Sequence, residues 1–437
     1  MLTKVQQIYE RVADQLKDPN FRLRFSQRPE DFSRHRKWTF SSVMAMILNR
    51  VDRTTAVEVQ HFCKTHLADV GRLTKQAFSK ARYKIKPEAF TALNHTAMEA
   101  FYTLGNYREV HGFLPVAIDG SILEIPNTPT LREAFGTMSE LARARISHAF
   151  DVANRLCLSA IAAPLTTSER DLARRNIAEV RKILGPHVRI LWLEDRGYPA
   201  FPFWMELDNA GEYFLMRVPS TFYPEEFGSV ERDAWVTIMV TPERAREFAA
   251  QGHPVPVGTE LRLRVIKLLL PSGEIEILAT NVSAQELPYE AAGAVYFSRW
   301  GIEVYFDVLK NRFEIANFAG ILPAAIDQEH QATVLLGNLC ALAEAEAQAL
   351  WDAQQAEHPE DYKYERYKIN TSVAVGQWKD TWVTILLAEE ADVRNQAFWD
   401  FIHEIRKHVT PIRPNRQFPR RSAPRANRYS HKRRRSL

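Results

Sequence analysis

Along residues 1–108 apolar positions recur at helical spacing, most clearly at 40–48 and 89–104, and no strong strand-like run interrupts them. The opening MLTKVQQIYERVADQLKD reads as an amphipathic helix, not as a secretory leader. TKQAFSKARYKIKPEAF at 74–90 predicts helix, turn and helix, with Pro87 suited to a first turn. The pattern changes at residue 113. A short apolar run at 113–118 ends in Asp119-Gly120-Ser121, and 145–152 with 156–163 predict a hairpin across Ala153-Asn154-Arg155. Thr167 or Ser168 can cap the helix that follows, with Glu169 and Asp171 in its first turn. A second apolar run at 188–193 ends in Glu194-Asp195-Arg196-Gly197; a short helix and a strand at 213–218 come next. This order predicts an α/β fold, a mixed sheet flanked by helices.

Residues 219–287 break that rhythm. Runs at 234–240, 261–270 and 274–279 read as strands, the last two joined by Pro271-Ser272-Gly273. In LRLRV, Leu261, Leu263 and Val265 face one way, and Arg262 and Arg264 the other. The reading is a β-rich insertion with a basic face. Helical patterning resumes near 290 and continues through 331–351. The expected divisions are a helical N-terminal domain (1–108), an α/β domain in two pieces (109–218 and 288–402), the insertion (219–287) and a tail (403–437).

Charge sharpens this division. The chain has 437 residues and a formal charge of +4, but 403–437 hold 12 of the 57 Lys/Arg and one of the 53 acids. The tail is therefore +11 and the rest −7. Such a tail is a natural phosphate-neutralising arm; a solubilising segment is the alternative. Within 1–108, Lys80 and Arg82 stand among Lys75, Lys84 and Lys86, interleaved with aromatics, which points to DNA contact or to a solvated face. Arg262 and Arg264 carry the same two readings. Composition is that of a globular protein, 46% hydrophobic and 25% charged, which excludes a disordered, collagen-like or disulfide-scaffold chain. No window resembles a membrane span. Cys63, Cys157 and Cys340 lie far apart, as expected of a reduced cytoplasmic protein. His61, Cys63 and His66 lack a nearby fourth ligand and fit no usual zinc spacing.

The candidate chemistry lies in three places. Asp119 and Asp195 each end an apolar strand, where ligand-handling groups of α/β sheets gather, although a lone strand-end Asp often only caps a turn. YFSRWGIEVYFDVLK at 296–310 fits Y-x2-R-x3-E-x6-K. With Tyr296 at zero and about 100° per residue, Arg299, Glu303 and Lys310 fall near −60°, −20° and −40°, a single stripe. Val304 and Val308 lie opposite and can pack on the sheet. The bland alternative is a surface stripe with an i,i+4 Arg–Glu pair. Gly301 in mid-helix suggests close packing.

With these motifs the chain resembles the cut-and-paste DDE transposases of bacterial insertion sequences, specifically family four, which carries a Y-R-E-K signature. VAIDGS around Asp119, LWLEDRGYPAF around Asp195 and YFSRWGIEVYFDVLKNRFEIANFAG around Glu303 resemble its three acidic motifs in order, and PNTPTLREAFG and GEYFLMRVP also fit. The resemblance implies an RNase H-like catalytic domain with the insertion between the second and third acids. It implies catalytic Asp119, Asp195 and Glu303 holding two Mg²⁺ ions, with Mn²⁺ able to substitute. Tyr296, Arg299 and Lys310 would grip phosphates near the transposon end. The implied partners are double-stranded DNA, both transposon ends and target, and a second protomer in a paired-end dimer, with no membrane; the implied place is the cytoplasm, on the nucleoid. The alternatives are a catalytically silent DNA-binding regulator derived from such a chain and a plain structure-selective nuclease.

Overall fold

The structure is a computed structural model, and it describes residues 2–34, 37–49, 54–67 and 73–413. Most of the expected basic tail lies outside the described residues.

The N-terminal part is helical, as its 3.6-residue pattern requires: α1 (Lys4–Lys17), α2 (Pro19–Phe25), α3 (Phe40–Leu48), α4 (Thr55–His66), α5 (Lys75–Arg82) and α6 (Glu88–Thr103). Thr3 and Gln6 close a capping box on α1, and Thr74 caps α5. The α/β part follows with β1 (Leu114–Glu124), α7 (Pro129–Phe135), β2 (Thr137–Met138), β3 (Leu141–Asp151), β4 (Leu156–Ala163), α8 (Glu169–Leu184), β5 (Ile190–Glu194), α9 (Phe201–Asn209) and β6 (Tyr213–Val218). The insertion holds α10 (Pro224–Gly228), β7 (Asp233–Met239), α11 (Pro242–Ala250), β8 (Glu260–Leu269) and β9 (Ile275–Thr280). The chain continues through α12 (Tyr289–Phe297), α13 (Trp300–Asn311), α14 (Pro323–Glu357), β10 (Tyr367–Ile369), α15 (Thr371–Leu387), α16 (Ala391–Arg406) and β11 (Val409–Pro411).

Nine strands form one sheet in which β4, β3 and β1 are antiparallel neighbours and β5 and β6 run parallel to β1. That order is RNase H-like. The insertion prolongs this sheet instead of building its own: β9 pairs antiparallel with β6, then β8 and the edge strand β7 follow. α16 runs to Arg406, through the position where the basic tail was expected to begin, and β11 pairs with β10.

Strand alternation divides the interior in two. Val116, Ile118, Trp192, Phe214 and Met216 turn to one face, towards α8, α9 and the N-terminal helices. Ala117, Leu191, Leu193 and Leu215 turn to the other, towards α12 and α13. The 35-residue α14, roughly 50 Å long, serves both cores: Ile326 and Val334 join the second, Leu335 and Leu339 the first. The N-terminal and C-terminal helices share a layer. Tyr9 donates to the Leu339 carbonyl at 2.6 Å, and Arg394 pairs with Glu10 at 2.6 Å.

Candidate active site

β1 and β5 are parallel and pair from Leu114–Ile190 to Ala117–Leu193. Asp119 and Asp195 each stand two residues beyond the last pair. They therefore stand level, on the face that Ala117 and Leu193 occupy, Asp195 one residue past the end of β5; the expectation that Asp119 ends its strand is corrected, since β1 pairs with β3 as far as Glu124. The Asp119 carboxylate accepts the Gly120 N–H at 2.8 Å. Glu194, one residue earlier, turns to the opposite face by the same alternation. It is fully buried, both carboxyl oxygens lack a partner, and burial pushes its carboxyl up to about 8.

The third acid comes from α13, which crosses that face. The helical stretch is not continuous: α12 ends at Phe297 and α13 begins at Trp300, with Arg299 at the junction. The face of α13 on the sheet is Ile302, Tyr305, Phe306 and Leu309. The expectation that Val304 and Val308 pack there is corrected: Val304 is 62% exposed. The cause is angular. On the same wheel the buried residues centre near 230°, so the 300–340° stripe borders the buried face instead of opposing it. Arg299 is accordingly buried at 3% exposure. Gly301 does mark a packed contact, since a Cβ there would lie 3.4 Å from Val152 in the turn that follows β3.

Each signature residue reaches the acids or the strand bearing them. The Tyr296 hydroxyl donates to Asp195 at 3.3 Å, and Arg299 Nη2 donates to Glu303 at 3.2 Å. Lys310 donates to the Ser121 hydroxyl. Ser121 was passed over in the sequence, yet the two-residue period puts it on the face of Asp119.

The electrostatics show the crowding. The Asp119 carboxyl is pushed up to about 6, first by burial and further by Glu303 and Asp195, against the pull of the Gly120 N–H and Arg299. Burial alone would lower the Arg299 guanidinium; Tyr296, Asp195, Asp119 and Glu303 together hold it above its ordinary value. Among the described residues no three ligating side chains are gathered closely enough to form a ready cation site. Glu303, 39% exposed, is engaged by Arg299 instead. The donor set is nonetheless hard carboxylate oxygen. Burial and, after it, the repulsion of Glu303 and Asp195 both raise Asp119, and a divalent cation offsets both, so the residues fit such an ion.

The other expected contact residues divide. Arg264 is corrected: it is buried in β8, both ends of its fork bind Asp233 (2.8 and 2.6 Å), and Nη1 donates to the Leu287 carbonyl at 2.7 Å. Arg82 is corrected likewise. It is buried between α5 and α14, 2.8 Å from Glu329 and 3.1 Å from Gln328. A guanidinium so enclosed cannot reach DNA. Arg262 is exposed, 4.9 Å from the ring of Trp235, itself 38% exposed. Lys80 is exposed on α5. Asp307 bonds Asn311 and stays apart from the acids. The sequence reading also missed His148, the cross-strand partner of Asp119. It is fully buried, packs with tilted rings against Tyr305 and Phe306 of α13, and bonds His330 of α14 at 2.9 Å. Its only sequence signal is a polar residue in an apolar strand.

Residues 112–329 match the family model described as the transposase DDE domain. No curated protein matches the chain. Among solved structures, the chain is similar to the piggyBac transposase in its synaptic complex with hairpin DNA. They are 10% identical over 91% of this chain and 82% of that one, with a TM-score of 0.43, a likeness that carries no argument about chemistry. Among the described residues no helix is long and apolar enough to cross a membrane.

Proposed function

We propose that this chain, whose residues 112–329 match the model of the transposase DDE domain, binds the terminal inverted repeats of an insertion sequence of family four, cuts the DNA at their ends and joins the freed 3′-OH to target DNA. The observation that carries this reading is that Asp119, inside β1, and Asp195, just past the end of the parallel neighbour β5, stand level and face the helix that bears Glu303.

Asp119 with Asp195, and Asp119 with Glu303, would hold two Mg²⁺ ions, or Mn²⁺. These supply charge neutralisation and activation of the attacking oxygen in an in-line phosphoryl transfer. Glu303 joins by giving up its contact with Arg299. The released guanidinium then offers its fork to a phosphate. Tyr296 donates its hydroxyl hydrogen from beside Asp195, and Lys310 brings a point charge beside β1. All three sit on the border of a packed helix, which fixes the scissile phosphate relative to the acids. Such positioning is a large part of the rate in phosphoryl transfer. Lys80 and Arg262 are the exposed cations for duplex outside the centre, and pairing two ends calls for a dimer.

Purified protein, terminal-repeat duplex and Mg²⁺ test the proposal. The expected products are cuts at the repeat ends and joined strands. A gel shift without cutting would instead make the chain a silent DNA-binding regulator, and cutting without joining a nuclease.

A further inference from the structure

A concavity of about 830 Å³ opens between the segment around residues 28–38 and helix α5, far along the chain from the acids. Arg28, Arg34, Lys37, Lys80 and Lys84 line it, against the acids Glu30 and Asp31. Asp31 is committed within the wall, at 2.6 Å from Lys84 Nζ and 3.2 Å from the Arg28 N–H. Lys37 and Lys80 are exposed and make no ion pair among the described residues. The described lining is thus net cationic, with Glu30 as its one exposed acid.

The apolar part of the wall is aromatic. Phe32, half-buried, sits at φ 59°, a left-handed conformation that a bulky residue adopts only when its surroundings impose it. Trp38 is 6% exposed and packs on Phe62 and Phe78. Its Nε1–H is buried and has no acceptor. An indole N–H without a partner is costly to bury, and the described residues offer it none; a ligand oxygen or ring nitrogen would.

We propose that this concavity binds a nucleoside phosphate. Lys37 and Lys80 take the phosphate, the Phe32 and Trp38 wall takes the base, and the Trp38 indole donates to it. The volume exceeds what a bare phosphate fills and lies within the range of small-ligand sites. Aromatic faces beside cations are the usual means of holding an unpaired nucleotide. The same chemistry is offered by an unpaired nucleotide of DNA and by a free nucleotide. The DNA source rests on the function proposed above, whereas the free source does not.

The test uses the full chain in calorimetry with dAMP and with inorganic phosphate. A competition follows between blunt duplex and duplex carrying one unpaired 5′ nucleotide, in wild type, Lys80→Glu and Trp38→Phe. Trp38→Phe keeps a ring on Phe62 and Phe78 and removes only the donor, so unliganded Tm should hold or rise. Binding should weaken about tenfold in either variant, the scale of one hydrogen bond to a charged group or a buried donor. Loss of dAMP binding in both variants identifies the free source. Loss of the preference for the unpaired nucleotide identifies DNA. Phosphate binding as tightly as dAMP, or both variants binding like wild type, overturns the proposal. Should Trp38→Phe unfold the chain, Lys80→Glu at the exposed mouth still decides. Asp119→Asn should bind as wild type does. A chain that binds but never cuts therefore sinks the catalytic reading alone, and one that cuts without binding sinks the pocket alone.

Discussion

Three of the buried arginines, Arg82, Arg264 and Arg299, distinguish the candidate active face from the scaffold. Arg82 and Arg264 belong to the helical layer and the inserted strands, and each meets an acid and further acceptors in good geometry. Arg299 belongs to the strand-end face. It donates to Glu303 at 3.2 Å and lies over the rings of Tyr296 and Trp300, its Nε–H lacks an acceptor, and acids surround it. Burial is alike and the use differs. A saturated guanidinium holds two elements together, while one left short of acceptors among mutually repelling carboxylates is arranged for a visitor.

The largest effect should separate the two regions outright. Asp119→Asn, Asp195→Asn or Glu303→Gln should lower cutting roughly 10⁴-fold or more, with end binding and Tm nearly unchanged, because only ligand oxygens are lost. Turnover near wild type in any of them would remove that acid from the site. Arg82→Ala should act the other way round. Glu329 would remain buried without its cation, so urea unfolding should show a loss of about 3–5 kcal/mol, while the folded fraction binds DNA as before. Equal stability, or a selective loss of DNA affinity, would put Arg82 back among the DNA contacts.

Arg299→Lys tests the fork itself. A point charge in place of a planar donor pair should cost about 10²-fold in cleavage with little change in Tm. Retained activity would mean that charge alone suffices. The smallest effect concerns the scaffold beneath α13. Burial lowers His330 to about 4 and holds His148 well below its ordinary value. Below about 6.5 the unfolded chain takes up protons that the folded chain refuses, so these histidines cost stability progressively as pH falls from about 6.5 to about 4. Tm recorded from pH 7 to 4.5 should therefore fall less steeply in His330→Gln than in wild type. Parallel curves would show that the pair does not titrate in this window.

Much of the fold was legible because alternation and capping are local. The hairpin at β3 and β4, the capped α8 and the apolar run ending before Asp195 lie where their patterns put them, whereas β1 runs past Asp119 to Glu124, because its polar residues pair with β3. The insertion's strands were visible too, but not that β9 would join β6 and extend the central sheet, since strand pairing leaves no trace in a strand's own alternation. The stripe at 296–310 was read correctly as one set of angles and wrongly as facing away from the core. Which arc of a helix meets the sheet depends on where that helix is laid. The cations fared worst. Lys80 and Arg82, or Arg262 and Arg264, are alike in sequence, yet one of each pair is exposed and the other enclosed.

By itself the sequence determined the order of elements, the position of Asp195 just past a strand and the residue types on the third acid's helix, since each follows from a period of two or 3.6 along a few neighbouring residues. Tertiary structure decided that Asp119 and Asp195 stand level, that Arg299 intervenes before Glu303, and which arginines bind protein instead of solvent. Those outcomes depend on contacts between residues tens to hundreds of positions apart, where a side chain's environment is set by whatever folds back upon it.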